Sequence, residues 1–494
     1  MPDSLVKLSS TRPNALRLIL LATLVYAILI AVWMMSGQQY FFSTPEQVDA
    51  GARATTVQSL SLEVLETEAP AATVKNFLLE SLETRQFKCI GWRATHGCSP
   101  DGARDVANDK SCDHRVNPRA SGYCEIEDVK TGERLRVMRR GCATVRKRAK
   151  FSCSFAPDFA NFPLKVDQLV EKVSATGFSL PNSKQTEEVR AGIVMVAYPE
   201  ILAAAYALVR TLREVMHCQL PIEIWFRPDE MRNVSAGLKP LEEVAKTDSM
   251  GGITFQAIDD LRAVHYAAKV HAIYNSAFDQ VLFLDTDNVP VRDPAFLFES
   301  EEFVRTGAVF WPDFWNPQNS IFHLVEDSMV WQMLDMQYVD MFEQESGQLL
   351  IDRRRHTAAM ELVHFYASYT PDLFDNLDLL WGDKDFFRFA WIKLNASFLM
   401  VPTLPALAGK LVDESFCGMT MAQHDFAGNV LFLHRNANKL IGRRQRDNEN
   451  HVFGPPEPDN LPDPHRQNFL SGNIVRASAK FATTSCFTLR NSQT

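Results

Sequence analysis

The sequence has no excess of positive charge. Its 494 residues include 51 lysines and arginines against 60 aspartates and glutamates, which gives a formal net charge of -9. Broad binding to nucleic acid needs a basic surface that displaces phosphate counterions, so we expect no nucleic-acid partner. Hydrophobic residues make up 46% of the chain and charged residues 22%, which is typical of a globular protein with two or three structural units.

Long apolar runs are also scarce. The one clear run, residues 18–35, carries no charge and is about long enough to cross a hydrocarbon core of roughly 30 Å. More basic than acidic residues precede it, and the positive-inside rule then leaves the N-terminus in the cytosol. A cleaved signal peptide is the alternative, but bulky Trp33, Met34 and Met35 stand where a cleavage site needs small residues. We expect an uncleaved signal anchor and a single-pass type II membrane protein.

Cysteine is sparse outside one short stretch. Six of the nine cysteines fall between residues 89 and 153, and no pair has the Cys-x2-Cys spacing of common zinc sites. A turn-rich segment with little apolar core is typically stabilised by disulfides, although six cysteines allow fifteen pairings and the sequence does not choose among them. The disulfide candidates are Cys89, Cys98, Cys112, Cys124, Cys142 and Cys153.

Composition divides the chain into segments. A polar stretch after the anchor favours a stem, and the Pro-rich C-terminal region favours a loosely ordered tail. Asn233 and Asn395 stand in Asn-x-Ser sequons and are glycosylation candidates if their loops face a secretory lumen. The predicted segments are a cytosolic tail (1–17), a signal anchor (18–35), a stem (36–85), a cysteine-rich module (86–156), a linker (157–190), an α/β domain (191–450) and a polar tail (451–494).

From residue 191 the hydrophobic pattern is that of an α/β domain. A strand at 191–197, a helix at 200–217 and a second strand at 220–226 are predicted, and they form one βαβ unit. A helix at 263–276 and a strand at 280–284 follow, and this strand runs directly into Asp285-Thr286-Asp287. Ligands bind at the carboxyl ends of strands in open α/β sheets, so we expect this motif in a binding cleft.

Two carboxylates one residue apart suit a hard divalent cation. Mg²⁺ and Mn²⁺ prefer oxygen ligands and bridge carboxylates to a diphosphate. When bound, such an ion neutralises the charge that develops on a leaving nucleoside diphosphate. Aspartate also follows strands in ordinary turns, so the surrounding sequence decides the meaning of the motif.

Five blocks follow one another from the acidic motif onward. They are VLFLDTDNVPVRDP (281–294), GAVFWPDFW (307–315), ESGQLLID (345–352), WGDKD (381–385), and QHD (423–425) with LFLHR (431–435). In this order they resemble the family 71 glycosyltransferases, which are fungal-type Golgi α-mannosyltransferases. The resemblance spans roughly residues 191–443 and leaves the cysteine-rich module without a counterpart.

The resemblance implies a GT-A-like domain with a central mixed sheet, a GDP-mannose donor, a Mn²⁺ or Mg²⁺ cofactor and retention at the anomeric carbon. Asp285 and Asp287 match the metal and nucleotide motif. His434 matches the third protein ligand, with His424 as the alternative, and a neutral imidazole suits Mn²⁺. The acceptor is expected to be a glycan or glycoprotein, and the catalytic domain is expected in the Golgi lumen.

Further candidates are expected around the donor. Lys269, one helix before the metal strand, is expected at the donor diphosphate, although a solvated helix lysine fits the pattern equally well. Ser346, Gly347 and Gln348 suit a close approach to the donor because Gly347 has no Cβ.

The catalytic and acceptor candidates are acidic and aromatic. Asp383 and Asp385 are expected to bind sugar hydroxyls or to stabilise an oxocarbenium-like transition state, and a helix N-cap is the alternative for one of them. Trp311, Asp313 and Trp315 are the acceptor-face candidates because aromatic rings stack on the apolar faces of sugars, whereas tryptophans more often belong to the core.

Retention leaves two chemical routes open. One is a front-face displacement within an ion pair, and the other is a double displacement through a carboxylate. The front-face route is favoured because the leaving phosphate itself accepts the proton of the acceptor. Two other functions stay open: a retaining transferase that uses UDP-glucose, UDP-galactose or UDP-N-acetylglucosamine, and a catalytically inert glycan-binding protein.

Overall fold

The computed structural model describes residues 84–435, with gaps at 147–148, 176, 184–187, 233, 235–236, 321 and 413–414, and the strand residues 475–476 and 487–488. For residues 410–419 it describes the backbone alone. The predicted cytosolic tail, the signal anchor at 18–35 and nearly all of the stem lie outside this part of the chain. None of the helices within it combines the length and the apolar character needed to cross a membrane.

The cysteine-rich segment forms a small antiparallel sheet in the strand order β1-β2-β3. The strands are β1 (Phe87–Thr95), β2 (Ser121–Asp128) and β3 (Arg134–Arg140). The predicted disulfides are confirmed, so these six cysteines offer no thiolate to zinc. The pairs are Cys89–Cys112, Cys98–Cys142 and Cys124–Cys153.

A buried arginine contributes to the core of this module. The Arg140 guanidinium lies 5.4 Å from the ring centroid of Trp92 and 4.4 Å from that of Phe151. It donates hydrogen bonds to the carbonyls of Ala120 and Asn117. The cation is therefore solvated by π faces and carbonyls instead of water, which offsets part of the cost of burying it.

The module contacts the rest of the chain through Arg139 and Arg146. The backbone N–H of Arg139 donates to Gln332 Oε1 (3.0 Å), and Gln332 Nε2 donates back to the Arg139 carbonyl (2.6 Å). Arg146 forms an ion pair of 2.6 Å with Asp378. These contacts join residues far apart in the sequence, so the module is part of the folded body.

A seven-stranded mixed sheet forms the centre of the α/β domain, in the order β11-β9-β10-β7-β4-β5-β6. Strands β4 to β7 of this sheet are parallel, whereas β10 runs antiparallel to β7 and to β9. The predicted α/β class with a central mixed sheet is confirmed. The strands are β4 (Ala191–Ala197), β5 (Ile222–Phe226), β6 (Ile253–Ala257), β7 (Gln280–Leu284), β9 (Ala308–Pro312), β10 (Gln344–Asp352) and β11 (Leu399–Met400), and β8 (Asn288–Pro290) follows β7 in the chain.

Helices cover both faces of this sheet. Along β7, Val281 and Phe283 join one hydrophobic cluster and Leu282 and Leu284 join the other, as the two-residue period of a strand requires. A strand buried on both faces is apolar at nearly every position, which explains its continuous hydrophobic run. The helices are α1 (Ala156–Ser174), α2 (Leu202–Arg210), α3 (Pro228–Met231), α4 (Lys239–Thr247), α5 (Ala267–Asn275), α6 (Glu301–Thr306), α7 (Met329–Leu334), α8 (Thr357–Ser368), α9 (Leu373–Asn376) and α10 (Phe386–Lys393).

A second sheet brings the C-terminal part of the domain back to the acidic motif. Its order is β15-β12-β13-β14-β8, and β16 pairs with β13. Strand β8 runs antiparallel to β14, with Asn288 opposite His434. The pairing therefore places the end of β14 next to the residues that follow β7. The new strands are β12 (Ala406–Val412), β13 (Ser415–His424), β14 (Val430–His434), β15 (Val475–Arg476) and β16 (Phe487–Thr488).

Candidate active site

Three side chains with metal-ligating atoms converge beyond the end of β7. One ligand atom from each of Asp285, Asp287 and His434 lies within 4.8 Å of the other two. The two aspartates follow β7 directly. His434 reaches them because β14 pairs with β8, and the backbone N–H of Arg435 donates to the Asp287 carbonyl (2.9 Å). The described residue His424, the alternative ligand, is not part of this group.

The imidazole of His434 lies between two carboxylates. Its Nε2 is 3.4 Å from Asp287 Oδ1, and its Nδ1 is 3.5 Å from Glu345 Oε1. Burial alone would lower the pKa of His434, but Glu345 and Asp287 raise it to about 10. The imidazole thus contacts two carboxylates, and a divalent cation among them would neutralise part of their charge.

Glu345 is a functional candidate that the sequence reasoning missed. Burial would raise the pKa of its carboxyl, but His434 and Lys269 lower it to about 2. Its Oε1 also accepts a hydrogen bond of 2.7 Å from the Gly347 N–H. A carboxylate at Nδ1 orients the ring so that Nε2 faces the aspartates, as outer carboxylates do for metal-binding histidines. Its position two residues before Gly347 in the third block was the only available signal.

Gly347 lies in direct contact with this imidazole. A Cβ at this position would be 2.5 Å from both Cε1 and Nδ1 of His434. Its carbonyl accepts from the Asp285 N–H and from Asn288 Nδ2, each at 2.8 Å. Glycine is therefore required for the approach of the histidine, whereas the sequence reasoning assigned it to the approach of the donor.

Lys269 on α5 contacts both the acidic motif, at Asp285, and strand β10, at Ser346. Its ammonium lies 3.0 Å from both the carbonyl and the hydroxyl of Ser346, 3.3 Å from Asp285 Oδ2 and 3.6 Å from Asp383 Oδ2. The residue is 9% exposed, so the alternative of a solvated helix lysine is wrong. Burial opposes the charged form, but the carboxylates of Asp285, Asp383 and Glu345 raise the pKa of Lys269 above its usual value.

The two carboxylates of the fourth block have different surroundings. Asp383 Oδ2 is buried beside Lys269 and has no hydrogen-bond partner among the described residues. Burial raises the pKa of Asp383 to about 6, although Lys269 opposes this. Asp385 Oδ1 instead accepts hydrogen bonds from the Gln344 N–H (3.0 Å) and from Arg388 Nε (2.5 Å). Asp385 therefore links α10 to β10, whereas Asp383 lies beside Lys269.

The acceptor-face candidates of the second block are largely buried. Trp311 is wrong as a stacking surface because it is 0% exposed, packs edge-on against Phe432 and donates its indole N–H to the His424 carbonyl (2.8 Å). The physical reason is that β9 is an interior strand with both faces covered. Trp315 is half-buried and stays a candidate.

Asp313 belongs to a buried ion cluster. Lys384 Nζ lies 2.8 Å from Asp313 Oδ2 and 2.5 Å from Glu343 Oε2. Burial raises the pKa of Asp313 to about 6, although Lys384 opposes this. Lys384, which stands between Asp383 and Asp385 in the sequence, thus belongs to this cluster and not to the group around Lys269.

The remaining candidates are Gln348 and the two sequon asparagines, Asn395 and Asn233. Gln348 is fully buried and accepts from Asn288 Nδ2 (2.5 Å), which links β10 to β8 beneath the metal group. Asn395 is exposed, as a glycan acceptor must be, and stays a prediction. Asn233 lies outside the described residues.

The sequence of the α/β domain is similar to known proteins. Residues 190–425 match a family model described as "Mannosyltransferase putative". The resemblance predicted from the motifs is therefore confirmed over most of the α/β domain, and the family description and the curated relatives name glycosyltransferases. The match ends before His434, which lies outside it.

Curated relatives are α-1,2-mannosyltransferases of yeasts. MNN2 of Saccharomyces cerevisiae is 27% identical over 289 residues, which are 51% of this chain and 48% of that protein. MNN21 of Candida albicans is 29% identical over 198 residues, 32% of this chain and 30% of that protein. The chain thus spans about half or less of the length of these relatives. The solved mannosyltransferase Ktr4p from S. cerevisiae is 11% identical over 48% of this chain and 76% of that chain, and its TM-score of 0.28 is too low to bear on function.

Proposed function

We propose that the protein is a retaining, metal-dependent α-mannosyltransferase that transfers mannose from GDP-mannose to a glycan acceptor. The observation that carries the proposal is the convergence of Asp285, Asp287 and His434 within 4.8 Å at the carboxyl end of a buried strand. The family match and the mannosyltransferase names of the relatives support the choice of sugar.

The residues present fit a divalent cation. Two carboxylates and one imidazole are a donor set that Mn²⁺ accepts, and Mg²⁺ is the alternative. The carboxylates of Asp285, Asp383 and Glu345 act on the Lys269 ammonium, and that of Asp287 contacts the His434 imidazole, so acidic groups outnumber basic ones here. When bound, the ion would supply Lewis-acid neutralisation of the donor diphosphate.

The protein side chains orient the donor. Lys269 would contact a diphosphate oxygen, since its ammonium lies 3.3 Å from Asp285 Oδ2 of the metal and nucleotide motif. Asp383 Oδ2 lies 3.6 Å from the Lys269 ammonium and accepts no hydrogen bond from the described residues, so it would accept one from a hydroxyl of the donor sugar. Glu345 holds the imidazole of His434 in place, which keeps the whole group preorganised.

The acceptor hydroxyl attacks the anomeric carbon on the face from which the diphosphate leaves. The new bond joins the acceptor oxygen to the anomeric carbon, the bond to the phosphate oxygen breaks, and the leaving phosphate takes the proton of the acceptor. This front-face route gives retention without a separate base. A double displacement would instead need a carboxylate at the anomeric carbon, and Asp383 would be the candidate for that role.

The cellular setting belongs to the same proposal. We place the α/β domain, 191–450, in the Golgi lumen behind a type II signal anchor at 18–35 and a stem at 36–85, with the cysteine-rich module (86–156) between them and the polar tail (451–494) after the domain. The predicted linker (157–190) is wrong for its first half, because α1 packs there into the hydrophobic core. The three disulfides support an oxidising compartment.

A donor screen of the full chain in detergent tests the function. GDP-mannose and the UDP-sugars of glucose, galactose and N-acetylglucosamine are each supplied with Mn²⁺, with and without EDTA. We expect transfer from GDP-mannose and from none of the UDP-sugars, and we expect EDTA to abolish this transfer. Turnover of a UDP-sugar instead would reject the donor. An Asp287→Ala variant is the control: a binding protein would keep its glycan affinity and show no turnover in either form.

A further inference from the structure

Two large aromatic side chains are exposed at the rim of the candidate active site. Tyr266 is 52% exposed at the start of α5, and Trp381 is 54% exposed in the loop before α10. Leu261 and Val264, in the loop that leads to Tyr266, are also exposed. Buried aromatic rings need no ligand, but exposed apolar groups gathered at a cleft are typical of a binding surface.

The two loops touch each other at Gly382. A Cβ on this glycine would lie 2.8 to 3.0 Å from Cγ, Cδ1 and Cδ2 of Tyr266, so the tyrosine ring lies against the bare backbone of Gly382. The positive φ of +58° at Gly382 also favours glycine. Tyr266 and Trp381 therefore border one continuous surface, which we call the aromatic shelf.

The shelf adjoins the residues assigned to the donor. Tyr266 precedes Lys269 by one turn of helix, and Trp381 precedes Asp383 by two residues. The Lys269 ammonium and Asp383 Oδ2 are 3.6 Å apart. If Asp383 meets a hydroxyl of the donor sugar, as proposed above, the shelf would adjoin the sugar side of the donor, where an acceptor must approach the anomeric carbon.

The cysteine-rich module contributes to the position of Trp381. The ring of Trp381 lies 5.6 Å from that of Phe322, and the Arg146 guanidinium of the module lies 4.3 Å from the same Phe322 ring. Arg146 is itself held by Asp378. This chain of contacts from the module to the shelf gives the module a role that the sequence left open.

We infer that the aromatic shelf of Tyr266 and Trp381 is the subsite for the acceptor sugar. A pyranose has an apolar C–H face that stacks on an aromatic ring, while its hydroxyls stay in water or meet nearby carboxylates. The shelf takes the role of acceptor surface that the sequence analysis gave to Trp311, whose ring is buried. This inference rests on the proposed function for its choice of a sugar acceptor.

Steady-state kinetics of the full chain test the assignment. Methyl α-D-mannopyranoside is the acceptor, GDP-mannose the donor, and the variants are Tyr266→Ala, Trp381→Ala and the conservative Trp381→Phe. We expect each alanine variant to raise the acceptor KM about 10-fold, with the donor KM within about 2-fold of the parent, and Trp381→Phe to recover most of the loss. Val304→Ala, which removes an exposed apolar side chain from α6, is the matched control and should change neither constant.

Two results would overturn the inference. One is an acceptor KM that stays unchanged in both alanine variants. The other is a rise in the donor KM in place of the acceptor KM, which would assign the shelf to the nucleotide.

A binding measurement separates this inference from the proposed function. Saturation-transfer NMR with methyl α-D-mannopyranoside and no donor should show contact with the parent protein and its loss in Trp381→Ala. If GDP-mannose is not a donor, the donor assignment fails and this signal alone decides the subsite. Equal signals from the parent and Trp381→Ala, or no signal from the parent, would refute the shelf.

Discussion

Replacing Gly347 by alanine is expected to weaken Mn²⁺ binding without unfolding the protein. The added Cβ would lie 2.5 Å from Cε1 and Nδ1 of His434, whereas ordinary van der Waals contact begins at 3.4 Å, so the ring must retreat by about 0.9 Å. It has little freedom to do so, since Asp287 and Glu345 hold its two nitrogens at 3.4 and 3.5 Å. A displaced ligand costs about 10- to 100-fold in metal affinity, and a misplacement near 1 Å costs about 100-fold in rate.

The assay is Mn²⁺ binding to the full chain together with the thermal midpoint of unfolding. Gly132→Ala is the control, because a Cβ there meets nothing within 4 Å although its φ of +71° makes the substitution strained. It should lose a little stability and keep its affinity for Mn²⁺.

A double substitution isolates the clash itself. If the methyl group acts through the imidazole, Gly347→Ala should destabilise the parent but add almost nothing in a His434→Ala background. Unchanged Mn²⁺ affinity in Gly347→Ala, or equal destabilisation in both backgrounds, would refute the reasoning.

Four further variants test other parts of the site. Lys269→Met removes the ammonium expected at the diphosphate and should raise the donor KM about 10- to 100-fold, whereas Lys246→Met, on an exposed helix face, should not. Asp385→Asn leaves the buried guanidinium of Arg388 without its carboxylate and should cost about 3 kcal/mol of unfolding free energy. Asp383→Asn should instead lower kcat and leave the thermal midpoint unchanged. The reverse pattern would mean that the two aspartates have exchanged roles. Because burial raises the pKa of Asp313 to about 6 while the unfolded chain has an ordinary value near 4, the folded state takes up the proton first as pH falls. Stability should therefore decrease as pH rises through this window, and Asp313→Asn should flatten that slope; an unchanged slope would contradict the cluster.

Local pattern was sufficient for the elements that carry the acidic motif. The predicted strands at 191–197 and 280–284 match β4 and β7, because strands covered on both faces are apolar throughout. The predicted helix at 200–217 is interrupted: a 3-10 turn precedes α2 and a π turn follows it. Helical periodicity does not resolve such changes of hydrogen-bond register.

Tertiary pairing decided what the sequence pattern did not. His434 reaches Asp285 and Asp287 only through the register of β8 with β14, which is a contact between segments far apart in the chain. Two aspartates of the same block, Asp383 and Asp385, have opposite surroundings because the turn before α10 sends one toward Lys269 and the other toward β10.

Burial of aromatic rings was the second unpredictable property. Trp311 and Trp381 both stand in family-like blocks, yet the first lies on an interior strand and the second on an exposed loop. The composition of each block is similar, so only the position of its element in the sheet separates a core residue from a surface one.

Titration of the full chain with Mn²⁺, followed by the EPR signal of the free ion, tests the central claim most directly. The account predicts a specific site in the parent protein whose affinity falls about 100-fold or more in His434→Gln and in Asp287→Asn, with both variants still folded. Equal affinity in the parent and in both variants would show that the ion is held elsewhere and would contradict the account.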